Sequence, residues 1–114
     1  MRVLVLYAHP DPESFAAALH RTIVETLAAA GHEVDDCDLY AEGFNPVLSR
    51  EERVGYHDLA HNQMPVSAYV ARLQKAEALV LSYPVWNFGF PAILKGFFDR
   101  VFLPGVSFKL VDLN

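Results

Sequence analysis

The chain has 114 residues, of which 53% are hydrophobic and 20% are charged, and its formal net charge is −5. This length fits a single domain, the apolar content excludes a disordered tail, and the acidic balance argues against a nucleic-acid partner. Cys37 is the only cysteine, which excludes an intrachain disulfide and a cysteine metal cage. We therefore predict a cytoplasmic protein without a metal site.

The first strand and helix follow from the hydrophobic pattern. Residues 3–8 form a continuous apolar run, as expected of a central parallel strand, and the run is too short to cross a membrane. We therefore predict no membrane insertion. Residues 14–30 carry an apolar side chain at every fourth position, which predicts a helix capped by Ser14 and ended by Gly31. The stripe expected to cover the sheet consists of Phe15, Leu19, Ile23 and Leu27.

Two more strands and two more helices are predicted downstream. Residues 33–39 mix acidic and apolar side chains, which suits an edge strand, whereas residues 78–83 begin wholly apolar and suit a central one. Helices are predicted over residues 66–75 and 91–102, and a proline at the start of the second suits a first helical turn. The irregular segment before residue 66 contains Ser49 and Glu52 at capping-box spacing, which predicts a short helix.

This alternation of strands and helices predicts an α/β fold with a doubly wound parallel sheet and right-handed crossovers. Ligands of such sheets bind beyond the carboxyl ends of the strands. Two loops follow the predicted central strands: AHPDPES at residues 8–14 and YPVWNFGFP at residues 83–91. We expect both loops at the same edge of the sheet, where a ligand would bind.

The first loop has the composition of a phosphate site. His9, Ser14 and the free amides at the start of the helix place hydrogen-bond donors beside the positive end of the helix dipole. The alternative is that Ser14 only caps the helix and that His9 bonds a neighbouring backbone group.

The second loop has the composition of a site for a flat ring. Trp86, Phe88 and Phe90 cluster in a surface loop, where Asn87 adds a donor and an acceptor and Gly89 permits close approach. The alternative is that alternate aromatic rings turn inward beneath the sheet. The GxGxxG, P-loop and GxSxG motifs are absent, so the two loops together predict a nucleotide-type cofactor outside the Rossmann and P-loop classes.

Three segments of the sequence resemble the NAD(P)H:quinone oxidoreductase and azoreductase family of flavodoxin-like flavoproteins. They are YAHPDPESFAAAL, DLYAEGFNPVLSREE and YPVWNFGFPAILKGFFDRVFLPG. The resemblance implies a flavodoxin-like sheet and two-electron, ping-pong transfer from NAD(P)H through a flavin to a quinone or related acceptor. The cofactor-binding residues that it implies are His9, Ser14, Phe15 and Ala16 at the phosphate, and Pro84, Val85, Trp86, Asn87 and Phe88 at the ring.

The same resemblance carries further implications. It places Phe108 at the rim of the substrate pocket and assigns no catalytic side chain, since hydride chemistry belongs to the flavin. The second segment favours FAD, whereas WNFG at residues 86–89 resembles FMN-dependent azoreductases, so FMN is the alternative. Family members are nearly twice as long, so the chain resembles the N-terminal part of the fold, ending after the third strand and its helix. A flavodoxin-like regulatory module without catalysis is the alternative function.

The length difference carries two structural expectations. Without a fourth strand, residues 78–83 would form an open sheet edge, which predicts either pairing with a second copy as a homodimer or a need for the missing segment from elsewhere. The helix over residues 91–102 would likewise expose part of its apolar face. The side chains of that face are Ile93, Leu94, Phe97, Phe98 and Val101.

The remaining polar residues are interpreted as structural. Cys37 is expected to be a structural thiol, and His57 and His61 are expected to face solvent. Lys95, Asp99 and Arg100 are expected to form a solvated helix face, with Lys95 and Asp99 one turn apart.

Overall fold

The computed structural model describes residues 1–111. Its strands are β1 (Arg2–Tyr7), β2 (Glu33–Asp38) and β3 (Ala78–Ser82), and its helices are α1 (Phe15–Ala29), α2 (Arg50–Val54), α3 (Ser67–Lys75) and α4 (Ala92–Val101), with a short 3₁₀ helix (Met64–Val66) before α3. The strands and longer helices agree with the predicted bounds to within one residue at each end. Ser49 and Glu52 form the predicted capping box of α2, while Pro91 is the N-cap of α4 rather than its first helical residue.

The three strands form a parallel sheet in the order β2-β1-β3. Val5 at the middle of β1 pairs with Asp36 on one side and Val80 on the other, and it has no exposed surface. The predicted flavodoxin-like α/β class is therefore confirmed, as is the edge position of β2. Within the described residues β3 has a partner only on its β1 side, so it does not have the central position that its apolar composition suits, and it forms the open edge expected without a fourth strand.

The main core lies on one face of β1, beneath α3 and α4. Leu4 and Leu6 project from this face into a cluster of buried side chains contributed by both helices and by the segment after β2. The other members of the cluster are Ala8, Cys37, Leu39, Phe44, Val66, Val70, Ile93, Leu94, Phe97, Val101 and Leu103. No helix within the described part of the chain is long and apolar enough to span a bilayer.

The expectation that α4 would expose part of its apolar face is wrong. Ile93, Leu94, Phe97 and Val101 are buried, and Phe98 is half-buried. The physical reason is that α4 packs on β1 and is covered on its flank by the segment after β2, whose Phe44 ring lies 5.4 Å from that of Phe97. The face of α4 therefore needs no further strand to shield it.

The segment between β2 and α3 is fastened to α4 by an ion pair that the sequence did not indicate. Arg100 Nε donates to Glu52 at 2.9 Å and its Nη1 donates to the Asn45 carbonyl at 2.7 Å. Only about a tenth of each charged side chain is exposed, so the solvated position expected for Arg100 is wrong. Lys95 and Asp99 do form the expected pair one turn apart on the exposed surface.

The apolar stripe of α1 is only partly used for packing. Phe15 is 83% exposed and Leu19 is 46% exposed, while Ile23 and Leu27 are half-buried against β3. The fully buried residue of α1 is Ala17. The stripe that should cover the sheet thus extends beyond it on the β3 side.

A second charge cluster joins β2 to α3. Arg72 contacts the Asp35 carboxylate through Nε and Nη2, and it donates to Glu42 at 2.6 Å. Glu42 also accepts from the Tyr69 hydroxyl. Cys37 is buried beside this cluster, and burial raises the pKa of its thiol to about 12, which fits the predicted structural role.

These two arginine–glutamate pairs make the free energy of unfolding depend on pH. Burial alone would raise the pKa values of Glu42 and Glu52, but hydrogen bonds from Arg72 and Arg100 hold both below the ordinary glutamate value. Their stabilisation is present above the unfolded-state pKa of about 4.3 and is lost as pH falls through the folded-state values. We expect the free energy of unfolding to fall between about pH 5 and pH 3, and to fall less in Glu42→Gln. Denaturant unfolding across this range tests this, and parallel curves for the two proteins would contradict it.

Candidate functional site

The loop after β1 is held by short-range hydrogen bonds that lead into the N-terminus of α1. The Asp11 amide donates to His9 Nδ1 at 3.0 Å, and the Ser14 hydroxyl donates to the Asp11 carbonyl at 2.8 Å. Ser14 Oγ also accepts from the Ala17 amide at 3.0 Å, so it is the N-cap of α1. Within the described residues, the amides of Phe15 and Ala16 have no protein acceptor. The loop therefore presents two unused N–H groups at the positive end of a helix.

The loop after β3 contains a tight two-residue hairpin. The Trp86 amide donates to the Gly89 carbonyl at 3.2 Å, and the Gly89 amide donates back at 3.1 Å. Between them, Asn87 and Phe88 have φ angles of 48° and 67°, as in a type I′ turn. Asn tolerates this left-handed region, but Phe is disfavoured there by about 1 to 2 kcal/mol. The turn holds the Phe88 side chain fully in solvent.

The two loops meet at the carboxyl edge of the sheet, as predicted. The His9 ring packs edge-on against Trp86, with ring centroids 5.6 Å apart. Beside this contact lies a pocket of about 360 Å³. Its lining residues are His9, Ser14, Phe15, Ala16, Leu19, Ser82, Tyr83 and Pro84. The pocket thus joins the start of α1 to the end of β3.

The structure brings together some of the predicted site residues but not all of them. Five line the pocket: His9, Ser14, Phe15, Ala16 and Pro84. Trp86 contacts His9 at the mouth, while Val85, Asn87 and Phe88 stand on the same loop without lining the pocket. Phe108 is half-exposed in a turn after α4, and it is not a lining residue of this pocket. Its proposed place at the substrate rim remains a prediction.

Sequence reasoning missed three of the pocket's lining residues. Ser82 is the buried polar end of β3, Tyr83 follows it, and Leu19 comes from the exposed stripe of α1. The Tyr83 ring is tilted against Phe90 with centroids 4.8 Å apart. Tyr83 could have been identified from its position directly after an apolar strand, since ligands bind where parallel strands end. Leu19 carried no such signal, because its stripe was expected to be buried.

The residues present fit a flavin nucleotide. Its phosphate would meet the free amides of Phe15 and Ala16 together with the His9 ring, and such N–H groups bind anions readily. Its flat isoalloxazine ring would contact aromatic side chains and backbone atoms of the loop from Tyr83 to Phe88. A pocket of about 360 Å³ is of the size that holds part of such a ligand. Among the described residues, no cluster of three His, Cys, Asp or Glu side chains is placed to hold a metal ion.

A second cleft, of about 460 Å³, lies on the other side of His9 between the ends of β1 and β2. Its floor is the Tyr7 ring stacked on His20, with centroids 3.9 Å apart, and His20 Nε2 lies 2.7 Å from Asp36. Burial, followed by the nearby Asp38 charge, raises the pKa of the Tyr7 hydroxyl. Of the predicted site residues, this cleft contains only His9.

The left-handed turn permits a test of whether Phe88 contributes to flavin binding. We expect Phe88→Gly to be as stable as the wild type or up to about 1 kcal/mol more stable, because Asn-Gly is a preferred type I′ pair. If Phe88 borders a bound flavin, the same variant should bind flavin more weakly. Chemical unfolding and ligand titration measure the two effects, with the exposed Val54→Ala in α2 as control. A variant that is stabilised and binds normally would remove Phe88 from the site.

The fold and this site define a member of the flavodoxin-like class. The chain belongs to this family: the family model described as flavodoxin-like fold matches residues 1–112. The chain is 35% identical to NAD(P)H dehydrogenase (quinone) 1 of Rattus norvegicus, in an alignment that covers 98% of this chain and 47% of the rat protein.

Solved structures give the same result. Smu.1420 from Streptococcus mutans UA159 matches with a TM-score of 0.83 and 39% identity, over 96% of this chain and 57% of that chain. An NAD(P)H:quinone oxidoreductase from Methanothermobacter marburgensis matches with a TM-score of 0.83 and 36% identity, over 90% of this chain and 54% of that chain. The resemblance drawn from the three sequence segments is confirmed. The chain spans about half the length of the curated relatives it matches.

Proposed function

We propose that this chain forms the flavin-binding part of an NAD(P)H-dependent oxidoreductase that reduces quinones or related acceptors in a two-electron, ping-pong reaction. The observation that carries the proposal is the pocket at the edge of the sheet, where the start of α1 meets the loop after β3. The similarity to proteins named as quinone dehydrogenases supports it. No comparable observation favours a regulatory module without catalysis.

Each part of the site has a distinct task in this proposal. His9 and the amides of Phe15 and Ala16 hold the flavin phosphate by hydrogen bonds and the helix dipole, at the helix start that Ser14 caps. Pro84 borders the flavin ring inside the pocket, and Val85, Trp86, Asn87 and Phe88 border it from the loop at the mouth. A bound flavin would supply the hydride-accepting ring, so no side chain of this chain needs to be an acid or base. Phe108 is proposed at the rim of the substrate pocket, which NAD(P)H and the quinone-like electron acceptor would occupy in turn.

The finer assignments are also proposals. FAD is the favoured flavin, on the strength of the segment DLYAEGFNPVLSREE, with FMN as the alternative. NAD(P)H is the electron donor. A homodimer is proposed because Leu79 and Leu81 are both more than a third exposed on β3, which leaves an apolar sheet edge open. The free, buried Cys37 fits a cytoplasmic setting.

Flavin titration tests the proposal. Purified protein stripped of small molecules should bind FAD, and flavin released by heating the native protein should be FAD on chromatography. Release of FMN would correct the choice of flavin while leaving the function in place. Failure to bind either flavin would refute the proposed function.

Ser14 permits a separation of capping from ligand binding. Ser14→Asp keeps a good N-cap at the start of α1, so the free energy of unfolding should change by less than about 0.5 kcal/mol. Its carboxylate would repel the flavin phosphate, and we expect flavin affinity to fall by about tenfold or more. Ser14→Asn is the matched control, because it caps equally well without the charge. Equal flavin affinity in the two variants would show that no phosphate lies near Ser14.

A further inference from the structure

One residue of the loop after β1 fixes two neighbouring side chains. The Asp11 amide donates to His9 Nδ1 at 3.0 Å, and the Asp11 carbonyl accepts from the Ser14 hydroxyl at 2.8 Å. The Asp11 carboxylate in turn accepts from the Glu13 amide at 2.9 Å, which closes a turn around it. Asp11 is therefore the centre of the loop, although it is not a lining residue of the pocket.

The direction of these hydrogen bonds determines where the protons lie. A backbone amide can only donate, so His9 Nδ1 must carry a lone pair, and the neutral ring then has its proton on Nε2. The Ser14 hydroxyl has a single proton, and the Asp11 carbonyl accepts it. Ser14 therefore has no proton left for a ligand, whereas His9 retains an Nε2–H donor.

Two contacts restrain the His9 ring. The edge-on contact with Trp86 restrains the ring from one side, and the bond to Asp11 restrains it from the other. His9 lines the pocket next to the amides of Phe15 and Ala16, which also have N–H groups to offer. The pocket thus brings the His9 ring together with two backbone N–H groups.

We propose that Asp11 is a positioning residue that holds His9 as the Nε2–H tautomer, so that His9 donates a hydrogen bond to the flavin phosphate. Ser14 contributes by ordering the helix start rather than by donating its own proton. This inference rests on the proposed function for the identity of the ligand. The tautomer itself is a property of the protein without ligand.

The tautomer can be measured directly by ¹⁵N NMR of the neutral His9 ring. We expect the wild type to show a protonated Nε2 and an unprotonated Nδ1. Asp11→Ala should give a mixture of the two tautomers. The substitution removes the carboxylate that accepts from the Glu13 amide, so the turn no longer holds the amide of residue 11 against His9. Asp11→Asn retains a side-chain oxygen there and should restore the wild-type spectrum. A protonated Nδ1 in the wild type, or a tautomer unaltered in Asp11→Ala, would overturn the proposal.

Two variants of His9 test the donor through FAD titration. His9→Gln can place an N–H near the position of Nε2, whereas His9→Asn places its polar atoms near Nδ1 and leaves the pocket without a side-chain donor. We expect His9→Asn to weaken FAD binding about tenfold and His9→Gln by about threefold or less. His57→Asn, in the segment between α2 and α3, is the control for loss of a histidine elsewhere.

The outcomes separate this inference from the proposed function. Equal loss in His9→Gln and His9→Asn, or a greater loss in His9→Gln, would overturn the role of Nε2. If the wild type binds no flavin, the proposed function fails, while the NMR spectra still decide the tautomer and the role of Asp11. Circular dichroism of each variant confirms that the fold is intact before affinities are compared.

Discussion

Gly96→Ala should destabilise the protein by about 3 kcal/mol or more. Gly96 lies in the middle of α4, against the segment that follows β2. A Cβ at this position would lie 2.2 Å from Pro46 Cβ, 2.3 Å from the Pro46 carbonyl oxygen and 2.4 Å from Pro46 Cα. These atoms belong to backbone and to a rigid ring, so no side-chain rotation can relieve the clash. The helix and the segment would have to separate.

Such separation would disturb more than one contact. The Arg100 bonds to Glu52 and to the Asn45 carbonyl cross the same interface, and Phe44 packs on Phe97 beside it. Gly55→Ala is the matched control, because its Cβ would approach no atom closer than 3.4 Å and its φ is −88°. Denaturant unfolding of the two variants should differ clearly. A Gly96→Ala protein as stable as the wild type would show that Pro46 does not pack on α4 as described.

The second large effect is expected in the association state of the 114-residue chain produced alone. Leu79 and Leu81 are 38% and 37% exposed on β3, whose outer edge has no partner within the described residues. On the opposite face of the sheet, Phe15 and Leu19 extend the apolar surface. An open, uncharged edge strand promotes pairing with another chain. We therefore expect this chain to self-associate, with a Tm that rises with protein concentration.

A charge placed on that edge provides the test. Leu81→Lys should shift the chain toward the monomer in light scattering, because a lysine on an edge strand opposes pairing. Val54→Lys adds the same charge at an exposed apolar position in α2 and should leave association unchanged. A compact wild-type monomer that unfolds cooperatively at a midpoint independent of concentration would contradict the prediction.

The sequence was sufficient for the elements and their order, because each rests on a local pattern. The apolar run of β1, the Ser14 cap of α1 and the Ser49 capping box of α2 depend on neighbouring residues, and all are present. Which helix face is covered was not predictable in the same way. α4 was expected to expose part of its apolar face, but that face is covered because the irregular segment containing Phe44 and Pro46 folds over it. Nothing in the local sequence reports a contact between residues 50 positions apart.

Part of the candidate site could likewise be predicted from the sequence, and part of it could not. That the two loops meet could be predicted, because parallel strands deliver their following loops to one edge. The contact of His9 with Trp86 and the left-handed turn at Asn87 and Phe88 could not be predicted. A type I′ turn is signalled by Asn-Gly, and Asn-Phe lacks that signal. The bond from Asp11 to His9 was also hidden, since it involves a backbone amide and no sequence motif marks it.

The most direct test of the central claim is the visible absorbance of flavin bound to the purified protein, recorded anaerobically while NAD(P)H and then a quinone are added. The pocket between His9 and the loop after β3 predicts that NADH or NADPH bleaches the flavin absorbance and that the quinone restores it. An absorbance that neither nicotinamide nucleotide changes, in protein shown to carry the flavin, would contradict the assignment as an oxidoreductase.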